Sequence, residues 1–158
     1  MSARIAVVGV GLIGGSVALA AKQRLDATLW GFDHSPAALA TARRRGALDH
    51  SCESVAEAVG DAEAVFVAVP VGALPEVIAA SLEFAPRDCV VTDVGSTKRA
   101  IVAAAGDPRF VGGHPLAGAE TAGVEHARAD LFDGAIWYLT PTGNTSGLLY
   151  ERLHRLLH

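Results

Sequence analysis

An α/β fold, a doubly wound and mostly parallel sheet with helices on both faces, is what this sequence predicts, on three observations. Short apolar runs rich in β-branched residues alternate with longer, alanine-rich stretches of helical composition. The apolar runs are continuous rather than alternating in polarity, so both of their faces are buried, as in a parallel sheet covered on each side. A glycine-rich turn, GVGLIGG at 9–15, stands between the first run and the first helix.

RIAVVGV (4–10) has strand length, and SVALAAKQRL (16–25) has helical length and composition. TLWGFD (28–33) is a second strand, and PAALATARRRG (36–46) a helix with proline in its first turn and glycine after its end. A short helix, SVAEAV (54–59), precedes the strand AEAVFVAVP (62–70), the helix GALPEVIAASLEFAP (72–86), the strand DCVVTDV (88–94) and the helix TKRAIVAAAG (97–106). RFVGG (109–113) and AIWYLTP (135–141) are later strands, separated by a polar, glycine-containing loop of about twenty residues, long enough to carry function. In the final stretch, GLLYERLHRLLH (147–158), Leu148, Leu149, Leu153, Leu156 and Leu157 are spaced for a packed helix face, with His154 and His158 as bystanders.

Composition narrows the function classes. With 158 residues there is material for about one domain and a single core. The chain is 51% hydrophobic with 17 glycines and a formal charge of −4, which describes a soluble globular protein and not a disordered one. A pI of about 5.8 leaves no footprint for nucleic acid, and the one basic run, Arg43-Arg44-Arg45, belongs to a solvated helix face. Cys52 and Cys89 lack metal-ligand spacing, so no metal or disulfide is expected and a cytoplasmic, reducing compartment is the default. Residues 5–21 are apolar, but four glycines interrupt them and only Arg4 could form a basic n-region, which argues against a targeting or membrane segment.

In this strand–turn–helix context the glycines match a dinucleotide-binding fingerprint of Rossmann type. Gly9 permits the tight turn, Gly11 lets the backbone approach a pyrophosphate, and Gly14 lets helix and strand pack closely. The free N–H groups around Leu12 and Ile13 at the helix start face the phosphates. Asp33 ends the second strand about twenty residues on, where a carboxylate accepts hydrogen bonds from an adenosine ribose. That favours NAD, since a carboxylate repels the extra phosphate of NADP; the nearby arginines keep NADP open, and Asp33 also reads as a cap before the Pro36 helix. Val69 and Pro70, with Val71, follow a later strand and form an apolar wall for the nicotinamide.

DVGSTK (93–98) and VGGHPLAGAETAG (111–123) place further polar residues at the carboxyl ends of strands, where open parallel sheets hold their ligands. Alone, Ser96 reads first as the N-cap of the helix starting near Thr97, and His114 as a structural histidine. Gly112, Gly113 and Pro115 around His114 nonetheless point to a fixed, exposed backbone in the long loop, where an imidazole serves as a base.

The series GVGLIGGS, AVPV, DVGSTK, FVGGHPLAGAETAG and LFDGAIWYLTP, in this order and spacing, resembles the nucleotide-binding half of the prephenate dehydrogenases and the related arogenate (cyclohexadienyl) dehydrogenases, over residues 4 to about 141. The resemblance implies NAD-dependent oxidative decarboxylation of prephenate to 4-hydroxyphenylpyruvate, or of arogenate to tyrosine. It makes His114 the base, sets Ser96 to hydrogen-bond the substrate hydroxyl and His114, and gives Gly113 and Glu120 roles in substrate contact or loop order. Ala119 stands where many relatives carry a hydroxyl residue. Family members continue into a helical domain that forms a homodimer and supplies a basic residue for the substrate carboxylates; residues 1–158 are thus expected to be the cofactor-binding part alone. Two other readings stay open on the sequence, a related β-hydroxyacid or imine reductase and a non-catalytic NAD(H)-sensing module.

Overall fold

The computed structural model describes residues 2–95, 106–117 and 121–158. Seven strands form one sheet: β1 Ala3–Val8, β2 Ala27–Phe32, β3 His50–Ser51, β4 Ala64–Val67, β5 Val90–Asp93, β6 Phe110–Pro115 and β7 Trp137–Thr140. Their order is β3-β2-β1-β4-β5-β6-β7, so the first strand lies inside the sheet, with Val8 paired to both Phe32 and Val67. Every pairing is parallel except the last, where β7 runs antiparallel to β6.

Among the described residues five α-helices cover the faces: α1 Leu12–Arg24, α2 Pro36–Arg44, α3 Val55–Val59, α4 Leu74–Phe84 and α5 Gly147–Leu156. Ile5 and Val7 point to the face where α1, α2 and α5 bury Val17, Ala18, Ala42, Leu149 and Leu153. Ala6 and Val8 point to the other, where α3 and α4 bury Val59, Leu74, Ile78 and Leu82. Two buried faces need apolar side chains at odd and even positions alike, and this explains the continuous apolar runs. Ser35, Ser54 and Ser146 cap α2, α3 and α5, each accepting a hydrogen bond from the backbone N–H three residues on.

The expected elements appear in order, with differences at their edges. Helix α1 starts at Leu12, four residues before the predicted start, because Gly14 and Gly15 belong to its packed face. The two-residue β3 has no hydrophobic pattern of its own and forms by pairing with Trp30 and Gly31. Leu148 is 67% exposed and does not join Leu149 and Leu153 in the core. The helix expected at 97–106 lies almost wholly outside the described residues. Cys52 and Cys89 are free and buried, and burial pushes their thiols up to about 11 and about 12, so neither ionises near neutrality.

One polar anchor joins α4 to β6. The Arg109 guanidinium donates to the carbonyls of Leu82, Ala85 and Pro86 at the end of α4 while forming an ion pair with Asp107 at 2.9 Å. At Leu82 and Ala85 it thereby satisfies carbonyls that a helix end leaves without partners. Replacing Arg109 with methionine is expected to cost about 2 kcal/mol in urea unfolding at neutral pH. The Arg109 hydrogen bonds hold the Asp107 carboxyl below its ordinary 3.8, so this contribution is present above that value and fades as pH falls through the lower folded one. The gap between parent and variant therefore narrows in acid.

Candidate functional site

The glycine turn leaves the carboxyl end of β1. Gly9 has φ +93°, and a Cβ there would lie 2.5 Å from the Ala68 carbonyl oxygen beyond β4. A Cβ on Gly14 would lie 1.9 Å from the Gly9 carbonyl oxygen, so only glycine lets α1 start so close to the strand. Around Gly11 a Cβ would meet nothing within 4 Å, which leaves space beside the backbone. Gly11 is the N-cap of α1, with no side-chain cap and no acidic residue in the first turn. The helix start, with its N–H groups free of side-chain caps beside the space at Gly11, has a chemistry that favours an anion.

Asp33 holds this turn from the side. Its Oδ2 accepts from the Val10 N–H at 2.7 Å and its Oδ1 from the Ser35 N–H at 2.8 Å. The carboxylate thus stands beside the glycine turn and also braces the start of α2, so the ribose reading and the capping reading share one geometry. Val69 and Pro70 follow β4 on the other side of the turn; the Val69 Cγ1 comes within 3.0 Å of a Gly9 Cβ position, and Pro70 is exposed.

The basic run is not wholly a solvated face. Arg45 donates to the carbonyls of Val124 (2.8 Å) and Ala127, pinning the segment between β6 and β7. That segment also lies on α1: Cβ atoms on Gly15 would meet Val124 at 2.9 Å and Ala127 at 3.0 Å, and Ser16 Oγ accepts from the Arg128 N–H at 3.0 Å. The sequence reading gave Gly15 no role, although a fourth glycine directly after a complete fingerprint was its signal.

His114 is in strand β6, not in the long loop where it was expected. Gly112, Gly113 and Pro115 around it are buried rather than exposed, because β6 continues past the parallel ladder and pairs with β7, His114 opposite Tyr138. Register places it at the carboxyl end of the parallel ladder: Val8 pairs Val67, Val67 pairs Asp93 and Thr92 pairs Val111, so Gly9, Gly95 and His114 lie at the same end of the sheet. His114 is half-buried there. Ser96 and Glu120 lie outside the described residues.

Asp93 is a site residue that the sequence reading did not select. It is 1% exposed at the end of β5, with Oδ1 accepting from the Gly113 N–H at 3.1 Å and Oδ2 from the Gly95 N–H at 3.0 Å. Burial pushes its carboxyl above the ordinary value. The available signal was an acidic residue closing an otherwise apolar strand.

Among the described residues no three His, Cys, Asp or Glu side chains gather as a metal site, and no helix is long and apolar enough to cross a membrane. The family described as "prephenate dehydrogenase, nucleotide-binding domain" matches residues 17–158. The prephenate dehydrogenase of Bacillus subtilis is 36% identical over 99% of this chain and 44% of its own length. The crystal structure of prephenate dehydrogenase from A. aeolicus in complex with hydroxyphenyl propionate and NAD+ superposes with a TM-score of 0.90 at 29% identity, covering 99% of this chain and 56% of the other. Synechocystis arogenate dehydrogenase gives 0.87 at 28% identity, over 98% and 55%. The chain spans about half the length of these relatives. Matched over nearly its whole length, it belongs to the nucleotide-binding domain family of prephenate dehydrogenases.

Proposed function

We propose that this chain binds NAD across the carboxyl edge of its sheet and serves the NAD-dependent oxidative decarboxylation of prephenate or arogenate. The observation that carries the reading is the glycine turn: an uncapped helix start, open space at Gly11 and a carboxylate at Asp33 fit a dinucleotide. Arg45 is committed to the Val124 and Ala127 carbonyls, which favours NAD over a cofactor with an additional phosphate. Bound NAD supplies a hydride acceptor. His114 then takes the proton of the substrate hydroxyl as that hydride leaves its ring carbon; the carboxylate departs as carbon dioxide, its bonding electrons enter the ring, and His114 returns the proton to the phenolate oxygen. Ser96 orients the hydroxyl and His114, and Glu120 orders the loop; both roles come from the family resemblance. The active form in this reading is a homodimer in the cytoplasm, where a reducing milieu suits the two free thiols.

The test is NADH fluorescence after adding prephenate or arogenate to the chain with NAD, preceded by an NAD titration. NAD binding is the expected result, NADH formed with either substrate would identify the reaction, and the absence of NAD binding would overturn the reading. In the same titration, Asp33→Ser should weaken NAD by about tenfold and narrow its advantage over NADP. An unchanged preference would remove the ribose from Asp33.

A further inference from the structure

We infer that Asp93 is the positioning residue for His114, a carboxylate that replaces a missing rung of the sheet and fixes the peptide from which the imidazole projects. The inference rests on the reading of His114 as the base. The parallel ladder between β5 and β6 runs through Thr92 and Val111. Past that point β5 stays with β4, the Val94 N–H donating to the Val67 carbonyl at 3.2 Å. The Gly113 N–H bonds instead to the Asp93 Oδ1 at 3.1 Å, and the next residue is His114.

The same peptide is confined sterically. A Cβ on Gly113 would lie 2.5 Å from the Asp93 carbonyl oxygen, 2.8 Å from Thr92 Oγ1 and 3.2 Å from Trp137 Nε1. Packing thus holds the strand and the carboxylate sets the direction of its N–H. The other oxygen takes the Gly95 N–H at 3.0 Å, so one buried group ties the turn after β5 to the strand that carries the base.

The choice of residue follows from donor and acceptor chemistry. Both partners are N–H donors, so the bridge must be acceptor-only at both ends. Aspartate meets this when ionised, whereas asparagine would set an NH2 against one of the two N–H groups. An ionised carboxylate that is 1% exposed is costly to keep, as the upward push on its pKa reflects, and simple space-filling would not require it. The carboxylate also interacts electrostatically with His114.

The experiment is Asp93→Asn in the 158-residue chain, followed by NAD affinity, the rate of His114 acylation by diethyl pyrocarbonate, and kcat and KM with prephenate. The expected result is NAD affinity within about twofold of the parent, His114 acylation changed severalfold while two exposed histidines, His34 after β2 and His126 between β6 and β7, keep their rates, and kcat reduced by roughly tenfold to a hundredfold with KM little changed. Parent-like kcat and His114 acylation would overturn the inference. So would a loss shared by NAD affinity and all the histidines, because that is the pattern of a generally damaged fold. Should the variant not fold, scalar coupling across the hydrogen bonds from the Asp93 carboxylate carbon to the Gly113 and Gly95 amide nitrogens decides in the unsubstituted chain, and its absence overturns the inference. If the unsubstituted chain turns over neither substrate, the dehydrogenase reading loses its kinetic support, while acylation and coupling still decide for Asp93.

Discussion

With alanine at position 114, the chain is expected to bind NAD as the parent does and to form NADH more slowly by about a hundredfold or more. The separation follows from geometry. His114 is half-buried on β6, with β4 and β5 between its strand and β1, which carries the glycine turn, so truncating its side chain leaves the phosphate cradle intact. A proton-accepting group is lost and nothing else in the cradle changes, so kcat falls while the NAD Kd holds. The measurement is a pair: NAD titration on the folded variant and initial rates of NADH formation with each substrate. A variant with parent-like rates would show that the hydroxyl proton leaves by another route, whereas NAD binding with no NADH formed by parent or variant would favour the sensing module. A variant that lost NAD binding as well would show that the imidazole supports the fold and not the chemistry.

The second large effect separates two glycines only three residues apart. Alanine at Gly14 brings a Cβ to within 1.9 Å of the Gly9 carbonyl oxygen and 3.1 Å of Val7 Cγ1. No rotamer relieves a collision with backbone, so α1 has to move away from β1. The expected cost is about 3 kcal/mol or more in unfolding free energy, with loss of measurable NAD binding. Alanine at Gly11 meets nothing within 4 Å, and Gly11 has an ordinary negative φ of −101°, so stability should change by less than about 1 kcal/mol. NAD affinity should nevertheless fall by roughly a hundredfold, because the new methyl group occupies the approach of the pyrophosphate. Thermal unfolding and calorimetric titration of the two variants check both halves. Equal NAD affinity in Gly11→Ala and parent would place the phosphates elsewhere.

Much of this was legible in the sequence because the signals were local. Continuous β-branched runs encode strands buried on both faces, and Pro36, Ser54 and Gly46 punctuate the helices wherever they stand. What could not be read depended on partners distant in the chain. The strand read through Gly113 was expected to end there, with His114-Pro115 in the loop, yet pairing with Tyr138 and Trp137 carries the strand on through both. Helical composition is continuous only from Ser16; the missing side chains at Gly14 and Gly15 are what let α1 begin at Leu12 and pack, Gly14 on Gly9 and Gly15 on residues as remote as Val124 and Ala127. Asp93 stands in DVGSTK, but its role could not be read there, since its two partners are backbone N–H groups that only the folded sheet brings together. Arg45 looked solvated because its acceptors, too, are distant carbonyls.

The interior place of β1 has a consequence for the order in which this protein comes into being. Strand β1 is synthesised before its two sheet neighbours, Ala27–Phe32 and Ala64–Val67, so it cannot be enclosed until the chain through β4 is available. Gly9 takes its shape against the Ala68 carbonyl, just beyond that strand. A nascent chain therefore exposes the apolar β1 before its cover exists and completes its phosphate cradle late, a dependence on distant contacts that slows folding. Because only the closed arrangement can hold the dinucleotide, ligand present during refolding acts after the central strands have assembled. It should slow the escape from the native state far more than it hastens arrival there.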